Sequence, residues 1–449
     1  MRYLPLSSED RREMLAKVGV DHIDELFADV PKDKLLSKLP DLPLAAGEIE
    51  VEQRLSQMAA RNLSAGAARG FFVGAGAYRH HVPATVDHLI QRSEFLTAYT
   101  PYQPEISQGT LQVLFEFQTQ VGMLTGMEVA NASMYDGSTA TAEAVLMAQR
   151  VTRRKKAILS GGLHPQYRAV VENMEHFSGG ELEVLEPKVA GDEDLAAQID
   201  DDTACIVVQY PDFFGQLNDF SALAEAAHAK KALLIVVVTE VVSLGAIKSP
   251  GEMGADIAIC EGQSLGCGLD FGGPYVGLFA TRQKYIRQMP GRLCGQTVDA
   301  DGHNGFVLTL STREQHIRRE KATSNICTNS GLMALAFSIH LTLLGEKGLR
   351  QLAQVNHANA AQLADELDTI KGVSVLNGSF FNEFTVRLPG NAAELVEALA
   401  AKGILAGVPV SRLLPDASGM EDLLLIAVTE MNSPEQLTAL KVAIEGELS

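Results

Sequence analysis

The sequence predicts an α/β protein with a large, mostly parallel sheet and a smaller α+β unit at its C-terminal end. Three observations support this fold class. From about residue 66 to residue 325, short apolar segments alternate with helical patterns, the order expected of a parallel sheet that helices cover on both faces. The longest apolar run, Ala232–Val238, has the length of a central strand and is far too short to cross a bilayer. From about residue 326 the pattern changes to helices and alternating strands.

The first predicted element is a helical arm that covers residues 1–65. Its pattern is helical, with short breaks at Pro31, Pro40 and Pro43, and it lacks strands. We expect this arm to pack on another surface. The stretch Met1–Lys17 is polar and amphipathic and lacks the charged and apolar regions of a secretory signal, so we expect no signal peptide.

Residues 66–325 form the predicted large domain, which includes an alanine-rich helix at Thr139–Arg150. Five short apolar segments are the candidates for the strands of its sheet. The predicted strands are Ala157–Leu159, Cys205–Val208, Leu233–Val238, Ile257–Cys260 and Tyr275–Ala280.

Residues 326–449 form the predicted small α+β domain. Ser433 and Gln436 have the spacing of a capping box, with Pro434 at the first helical position. They predict the start of the last helix. The other predicted elements are strands Val373–Leu376 and Phe384–Leu388 around a turn at Asn377 and Gly378, a helix that begins at Asn391 and ends at Gly403, and a strand Leu423–Val428.

Composition narrows the function classes. The formal net charge of −19 makes nonspecific nucleic-acid binding unfavourable. The five cysteines are widely spaced and include no C-x-x-C pair, so we expect reduced, mostly buried thiols in a cytosolic protein. His80, His81 and His88 lack the acidic partners of a metal site, and we interpret them as turn or packing residues. We therefore predict no metal site, no nucleic-acid partner and no membrane segment.

Residues 230–280 resemble the cofactor-binding core of enzymes that use pyridoxal phosphate (PLP). The strand Leu233–Val238 ends at a carboxylate, Glu240, and a second strand is followed by a glycine-rich turn. In that layout the residue after the second strand is the lysine that binds the cofactor as an imine. Here the position holds Gln263, and an amide cannot form an imine. The arm, large domain and small domain match the PLP-dependent transferase fold of type I, the aspartate aminotransferase-like architecture.

The start of the alanine-rich helix is a possible anion site. Small residues and hydroxyls at a helix start leave backbone N–H groups free, and the helix dipole favours an anion there. In a PLP fold the phosphate would lie at this point, with Ser138 and Thr139 as the candidate residues. The alternative is an ordinary N-cap by Asp136 or Ser138.

The segment Tyr99–Gly109 is a loop fixed by two prolines and a terminal glycine. Its side chains offer many hydrogen-bond donors and acceptors in a small space. The segment either lines an active-site cleft or forms a rigid turn with buried hydroxyls. Its candidate cleft residues are Tyr99, Tyr102, Gln103, Glu105 and Ser107.

The segment Thr312–Thr328 begins with a basic run, Arg313–Lys321, in an otherwise acidic chain. A solvated helical face is the usual explanation of such a run. The polar residues Thr323, Ser324 and Asn325 follow directly and suit a cleft or a subunit interface, which is the role we favour.

Several of these segments resemble signatures of the glycine cleavage system P-protein family, and the resemblance covers nearly the whole chain. The matching segments are Tyr99–Gly109, Arg318–Thr328, Asn131–Ser133 with Asp136 and Gly137, and Glu261–Gln263 with Phe271–Pro274. In many bacteria the protein of this family is split into a chain that carries the PLP lysine and a relative of similar size that lacks it. This chain resembles the second, the alpha subunit or subunit 1.

The resemblance implies a role within an assembly. PLP would be held by the beta subunit of an alpha2beta2 heterotetramer in the bacterial cytoplasm. The pair would decarboxylate glycine and transfer the aminomethyl group to the lipoyl group of H-protein. Glu240 would be a vestigial partner of the ring nitrogen, since the catalytic chain has aspartate there. The loop Tyr99–Gly109, named the tyrosine loop, and Thr323–Asn325 would face the partner's site. This chain alone would bind no PLP covalently and would be inactive.

Two other hypotheses stay open. The chain could be a noncatalytic structural or regulatory homologue of a PLP enzyme. It could also be an independent PLP enzyme that uses another lysine, such as Lys248 or Lys284.

Overall fold

The computed structural model describes residues 6–38 and 40–448, and the chain divides into two compact units, Met1–Asn62 and Leu63–Ser449. The first unit contains the helices α1 (Ser8–Val18) and α2 (Glu48–Ala59). Ser7 caps α1 through a capping box with Asp10, which satisfies the otherwise free N–H groups of its first turn. Residues 1–5 and residue 39 of the predicted arm lie outside the described residues.

The second unit begins with a short strand and continues as alternating helices and strands. Its elements up to residue 330 are β1 (Gly70–Phe71), α3 (Ala84–Ile90), α4 (Ser93–Leu96), α5 (Gln108–Thr125), β2 (Val129–Ala130), α6 (Gly137–Thr152), β3 (Lys156–Leu159), α7 (Pro165–Ser178), β4 (Glu181–Val184), β5 (Thr203–Gln209), α8 (Ser221–Ala229), β6 (Leu233–Val238), β7 (Ile257–Glu261), β8 (Gly277–Thr281), β9 (Leu293–Val298), β10 (Asn304–Thr309) and α9 (Gln315–Arg318).

Seven of these strands form one sheet in the order β2-β8-β7-β6-β5-β3-β4. Neighbouring strands from β7 to β4 are parallel, whereas β8 pairs antiparallel with both of its neighbours, β7 and β2. Every residue of β5, β6 and β7 is buried, because helices cover both faces, and this explains why these strands are continuous apolar runs. The predicted mostly parallel sheet is confirmed.

The predicted strand Tyr275–Ala280 begins two residues late in the structure, at Gly277. The amide of Val276 donates to the Glu261 carboxylate at 3.2 Å and is therefore not available to the ladder. The prediction of two extra strand residues was wrong, because at Val276 a side-chain carboxylate takes the place of a main-chain partner.

The remainder of the unit is a long helix followed by a small antiparallel sheet in the order β11-β12-β15-β14. A capping box of Ser433 and Gln436 starts the last helix, as the sequence predicts. The elements are α10 (Gly331–Asp368), β11 (Ser374–Val375), β12 (Glu383–Arg387), α11 (Ala392–Ala401), β13 (Ile404–Leu405), β14 (Val408–Pro409), α12 (Val410–Leu413), β15 (Leu423–Ala427) and α13 (Pro434–Glu447).

Helix α10 belongs to two hydrophobic cores. It is kinked at Gly345, where φ is 59° and ψ is −177°. Phe337, before the kink, packs in the core beneath the large sheet, and Leu363, after it, packs in the core of the small sheet. Among the described helices, α10 alone has the length and apolar composition of a membrane span, and it contributes its buried side chains to these two cores.

The segment after β1 crosses from the small sheet to the large one. β1 pairs in parallel with β13, and Phe72 lies in the core of the small sheet. Residues 70–72, assigned to the predicted large domain, thus pair and pack with the C-terminal part. The bounds at 66 and 326 stay a prediction. The chain then continues through Gly74–His80 toward the carboxyl ends of β6 and β7.

Candidate functional site

The first group of candidate residues lies at the carboxyl ends of β6 and β7, where ligands commonly bind in parallel sheets. Glu240 follows β6 and is 1% exposed. Its carboxylate accepts hydrogen bonds from the Val242 amide at 3.0 Å and from Asn382 Nδ2 at 3.2 Å, and it lies 2.9 Å from His80 Nε2. The carboxylate that ends the strand is thus fully engaged by the protein itself.

Gln263, which follows β7, bonds to the main chain of Tyr78. Its Oε1 accepts from the Tyr78 amide at 2.9 Å, and its Nε2 donates to the Tyr78 carbonyl at 3.0 Å and to the Cys267 carbonyl at 3.1 Å. Both amide hydrogens and the oxygen of this buried side chain are used. These three hydrogen bonds, named the Gln263 clasp, tie the segment Gly74–His80 to the end of β7.

The side chain of Tyr78 extends the same network toward the small sheet. Its hydroxyl donates to Glu383 Oε2 at 2.7 Å, and the Ala75 amide donates to Glu383 Oε1 at 2.6 Å. Burial raises the pKa of Glu383 to about 7. Gly74 is needed for this approach, since a Cβ there would lie 2.2 Å from Glu383 Oε1 and 2.5 Å from Ala427 Cβ.

His80 lies between two carboxylates. Its Nε2 is 2.9 Å from Glu240 Oε2 and its Nδ1 is 2.9 Å from Glu430 Oε2. Burial disfavours the imidazolium, but the two carboxylates outweigh it and raise the pKa of His80 to about 10. The interpretation of His80 as a turn or packing residue omitted this charge; the histidine is a buried cation that joins β6 to the loop after β15.

The start of α6 is occupied by acidic side chains of the chain. Asp136 is the N-cap, and its Oδ1 accepts from the Thr139 amide at 2.8 Å and from Ser138 Oγ at 2.6 Å. The amide of Gly137 donates to Glu261 Oε2 at 2.9 Å. The amides of Gly137 and Thr139, which an external anion would need, are thus already bonded.

These residues do not fit PLP. The position of the lysine holds Gln263, and two amides at the start of α6 are bonded to carboxylates. In addition, the segment Ala75–His80 bonds to the two side chains expected at the cofactor, Tyr78 to Gln263 and His80 to Glu240, and the Ala75 carbonyl lies 2.9 Å from His164 Nε2.

The alternative lysines lie elsewhere. Lys248 Nζ donates to Ser221 Oγ at 2.8 Å, and its side chain is 41% exposed. Lys284 Nζ lies 4.6 Å from the centre of the Tyr285 ring, and its side chain is 64% exposed. Neither lysine is bonded to Gln263, Glu240 or Tyr78.

The second group of candidate residues is the tyrosine loop. Tyr99 and Tyr102 are 74% and 60% exposed, so their hydroxyls are not those of a rigid buried turn. Gln103 and Glu105 are also exposed, and Ser107 is half-buried next to α5. Gln108 anchors the end of the loop to β10 through two bonds with the main chain of Phe306, at 2.9 and 2.8 Å.

The basic run does not form a helical face. It consists of α9 flanked by two 3-10 turns, and Arg319 has a φ of 53°. Arg313 is buried and donates to the carbonyls of Met289 and Gly291. The alternative of a solvated helical face does not hold at Arg313, because its side chain faces the interior; the favoured cleft or interface role stays a prediction.

Thr323, Ser324 and Asn325 follow this run as irregular chain. The Thr323 amide donates to the Arg313 carbonyl at 3.0 Å, and Ser324 Oγ accepts from the Ile326 amide at 3.0 Å. Asn325 is exposed. Thr323 and Ser324 line a small cavity with Arg292 and Glu314.

Arg292 connects the two predicted motifs. Its Nη1 donates to Thr100 Oγ1 at 3.1 Å, its Nε donates to Glu314 Oε2 at 3.3 Å, and its guanidinium carbon lies 5.6 Å from the centre of the Tyr102 ring. Sequence reasoning missed this residue, because Arg292 stands between the motifs in a segment without any recognisable pattern.

A cavity of about 140 Å³ also joins the motifs, since Tyr99 and Pro101 line it together with Thr328. The structure thus brings the tyrosine loop and the end of the second motif into one surface rich in hydroxyls. Ser138, Thr139, Glu240 and Gln263 belong instead to the internal network at the sheet edge.

Among the described residues, one group of three ligating side chains could hold a metal ion: Asp299, Asp301 and His303. All three are exposed on the turn between β9 and β10, where the Asp299 carboxylate accepts from the amides of Asp301 and His303 and lies 3.2 Å from His303 Nδ1. Such acidic turns are common without an ion, and this one is apart from both groups of candidate residues.

Comparison with known proteins gives consistent matches. The pattern of the family described as "Glycine cleavage system P-protein" matches residues 1–443. A protein of Beijerinckia indica subsp. indica named "Probable glycine dehydrogenase (decarboxylating) subunit 1" is 66% identical over 449 residues, which cover 100% of both chains.

Solved structures agree. The crystal structure of glycine decarboxylase (P-protein) of the glycine cleavage system, in inhibitor-bound form, is 44% identical, with a TM-score of 0.90 over 99% of this chain and 100% of that one. Sphingosine-1-phosphate lyase of Burkholderia pseudomallei is 14% identical, with a TM-score of 0.67 over 93% of each chain, and shows the fold alone. The predicted PLP-dependent transferase fold is confirmed.

Proposed function

The chain belongs to the glycine cleavage system P-protein family, and from this premise we propose that it is the glycine dehydrogenase (decarboxylating) subunit without the PLP lysine and acts with a second subunit that carries PLP. Its relatives are named as subunit 1, which implies at least one further subunit. We propose an alpha2beta2 heterotetramer in the bacterial cytoplasm, with glycine and the lipoyl group of H-protein as substrates.

The observation that carries this proposal is the clasp of Gln263 on Tyr78. An amide engaged in three main-chain hydrogen bonds has neither the nucleophilic amine nor the free space that imine formation requires. PLP held on the second subunit would supply the electron sink that decarboxylation needs. This chain contributes shape and polar groups instead.

The part of this chain offered to the partner is the surface formed by the tyrosine loop and Thr323–Asn325. Tyr99 and Tyr102 present hydroxyls and ring faces to the outside, and Ile106 in the same loop is 81% exposed. Large exposed apolar and aromatic side chains are typical of surfaces that another protein covers. We propose that this surface closes over the substrate site of the second subunit and keeps water out of it.

The test is to express the chain with its second subunit, reduce the purified complex with borohydride, and map the labelled peptides. The expected label lies on a lysine of the second subunit only. A label on Lys248 or Lys284 of this chain, or glycine decarboxylation by this chain alone, would contradict the proposal.

A further inference from the structure

We propose that Arg292 is a positioning residue that holds the tyrosine loop against the segment carrying Thr323–Asn325, so that the two motifs act as one surface. The proposal rests on the proposed function for its effect on catalysis, whereas its structural part stands on contacts within this chain. Arg292 touches no candidate substrate group; it would act through Thr100, Tyr102 and Glu314.

The first argument is the direction of the guanidinium. Arg292 is 4% exposed and directly precedes β9, and its two bonded nitrogens point in different directions, one to Thr100 Oγ1 and one to Glu314 Oε2. A planar guanidinium donates along fixed directions, so the positions of these two acceptors are tied to each other. Thr100 lies in the tyrosine loop and Glu314 lies nine residues before Thr323.

The second argument is charge. Glu314 is mostly buried, with a side chain 10% exposed, and it lies 3.3 Å from Arg292 Nε and 3.5 Å from His316 Nδ1. Removing one member of a buried ion pair leaves an uncompensated charge. The pair therefore holds the guanidinium in place, and the guanidinium lies near enough to the Tyr102 ring for a cation–π contact.

The third argument is that few other bonds hold the loop. Among the described residues, the side-chain hydrogen bonds that reach Tyr99–Ser107 from the rest of the chain come from Arg292 to Thr100 and from Gln108, at the end of the loop, to the Pro104 carbonyl. Gln108 anchors only the end that enters α5. Segments with so few bonds open readily, so the start of the loop, with Tyr99 and Tyr102, depends on Arg292.

Two substitutions separate the role of Arg292 in the loop from its role in the ion pair. Thr100→Val removes the accepting hydroxyl and leaves the pair with Glu314 intact. Arg292→Lys keeps a charge beside Glu314 but loses the planar geometry that reaches both acceptors. Thr119→Val is the matched control, because its exposed hydroxyl donates only within α5, to the Phe115 carbonyl.

The experiment measures amide hydrogen exchange of residues 98–106 in the full chain, alone and with its second subunit. Thr100→Val and Arg292→Lys should each speed exchange there about tenfold, as expected for loss of a bond to a charged donor, and the double variant should show no further increase. Thr119→Val should leave exchange in the loop unchanged. Unchanged exchange in Thr100→Val and Arg292→Lys, or additive effects in the double variant, would overturn the proposal.

Kinetics of the assembled enzyme tests the catalytic consequence. Thr100→Val should lower kcat for glycine decarboxylation about fivefold to tenfold while the melting temperature stays that of the wild type, a split that general destabilisation would not produce. If Tyr102→Ala leaves turnover unchanged, the proposed function of the loop fails, whereas the exchange result still decides whether Arg292 positions it.

Discussion

Gln263 binds both main-chain groups of Tyr78, accepting from its amide at 2.9 Å and donating to its carbonyl at 3.0 Å. This pair of hydrogen bonds resembles the pair that two residues exchange in a β-sheet, except that a side-chain amide replaces one of the two main chains. It explains why glutamine is suited to this position: a carboxamide offers a donor and an acceptor on one planar group, and a lysine offers only donors.

The clasp predicts that lysine at this position does not restore a cofactor site. In Gln263→Lys the Tyr78 amide would lose its acceptor, and we expect the free energy of unfolding to fall by about 2–3 kcal/mol. We also expect no absorbance band of a PLP imine when the variant is titrated with PLP, because Ala75–His80 still bonds to the surrounding side chains. A yellow, borohydride-reducible variant would refute the view that the segment excludes the cofactor.

Gly74 allows the segment to pass Glu383. Gly74→Ala should lower the free energy of unfolding by at least about 2 kcal/mol, because the added carbon would meet a carboxylate oxygen and the Ala427 side chain. Gly66→Ala is the matched control, since nothing lies within 4 Å of a Cβ there, and its effect should stay within about 0.5 kcal/mol. Urea unfolding measures both. Equal effects at the two positions would contradict the close approach.

His80 makes stability depend on pH. Its pKa in the folded chain, about 10, exceeds the value near 6.5 expected for an unfolded histidine. The stability it contributes is therefore fully present below about pH 6.5 and is lost as pH rises through about 10. Near pH 6 we expect the free energy of unfolding of the wild type to exceed that of His80→Gln by a few kcal/mol.

Urea unfolding from pH 6 to pH 10 checks this prediction. Raised pKa values of Glu383 and Glu261 also affect the slope for wild type, so the informative quantity is the difference between wild type and His80→Gln. The difference should narrow steadily with rising pH. A constant difference would mean that the pKa of His80 is not raised in the folded chain.

Substitutions in the surface formed by the tyrosine loop and Thr323–Asn325 should change catalysis without changing stability. In the complex reconstituted with the second subunit, Tyr102→Ala and Thr323→Ala should each lower glycine turnover about tenfold or more, and the melting temperature of Tyr102→Ala should not change, because the ring is largely solvent-exposed. Tyr102→Phe separates the hydroxyl from the ring. Phe177→Ala, which removes an 80% exposed aromatic ring on α7, is the control and should keep full turnover.

Local patterns predicted the fold well. The apolar run of β6 and the capping box at Ser433 are signals contained within a few neighbouring residues, and both elements lie where the sequence puts them. The position of Gln263, two residues after β7, was predictable for the same reason, because it follows the end of an easily recognised strand.

The contacts of the site could not be predicted, since they join distant parts of the chain. Tyr78 and Gln263 are 185 positions apart, Thr100 and Arg292 are 192 apart, and His80 and Glu430 are 350 apart. No periodicity or spacing relates such pairs. The inward orientation of Arg313 could not be predicted for the same reason, because only its tertiary contacts with the carbonyls of Met289 and Gly291 decide it.

The segment Ala75–His80 is a ligand that the chain always carries with it. The stability of a cofactor-dependent fold rises with the logarithm of the free cofactor concentration once that concentration exceeds the dissociation constant, whereas a tethered occupant has a fixed effective concentration. We therefore expect the melting temperature of the isolated chain to stay the same whether or not PLP is added.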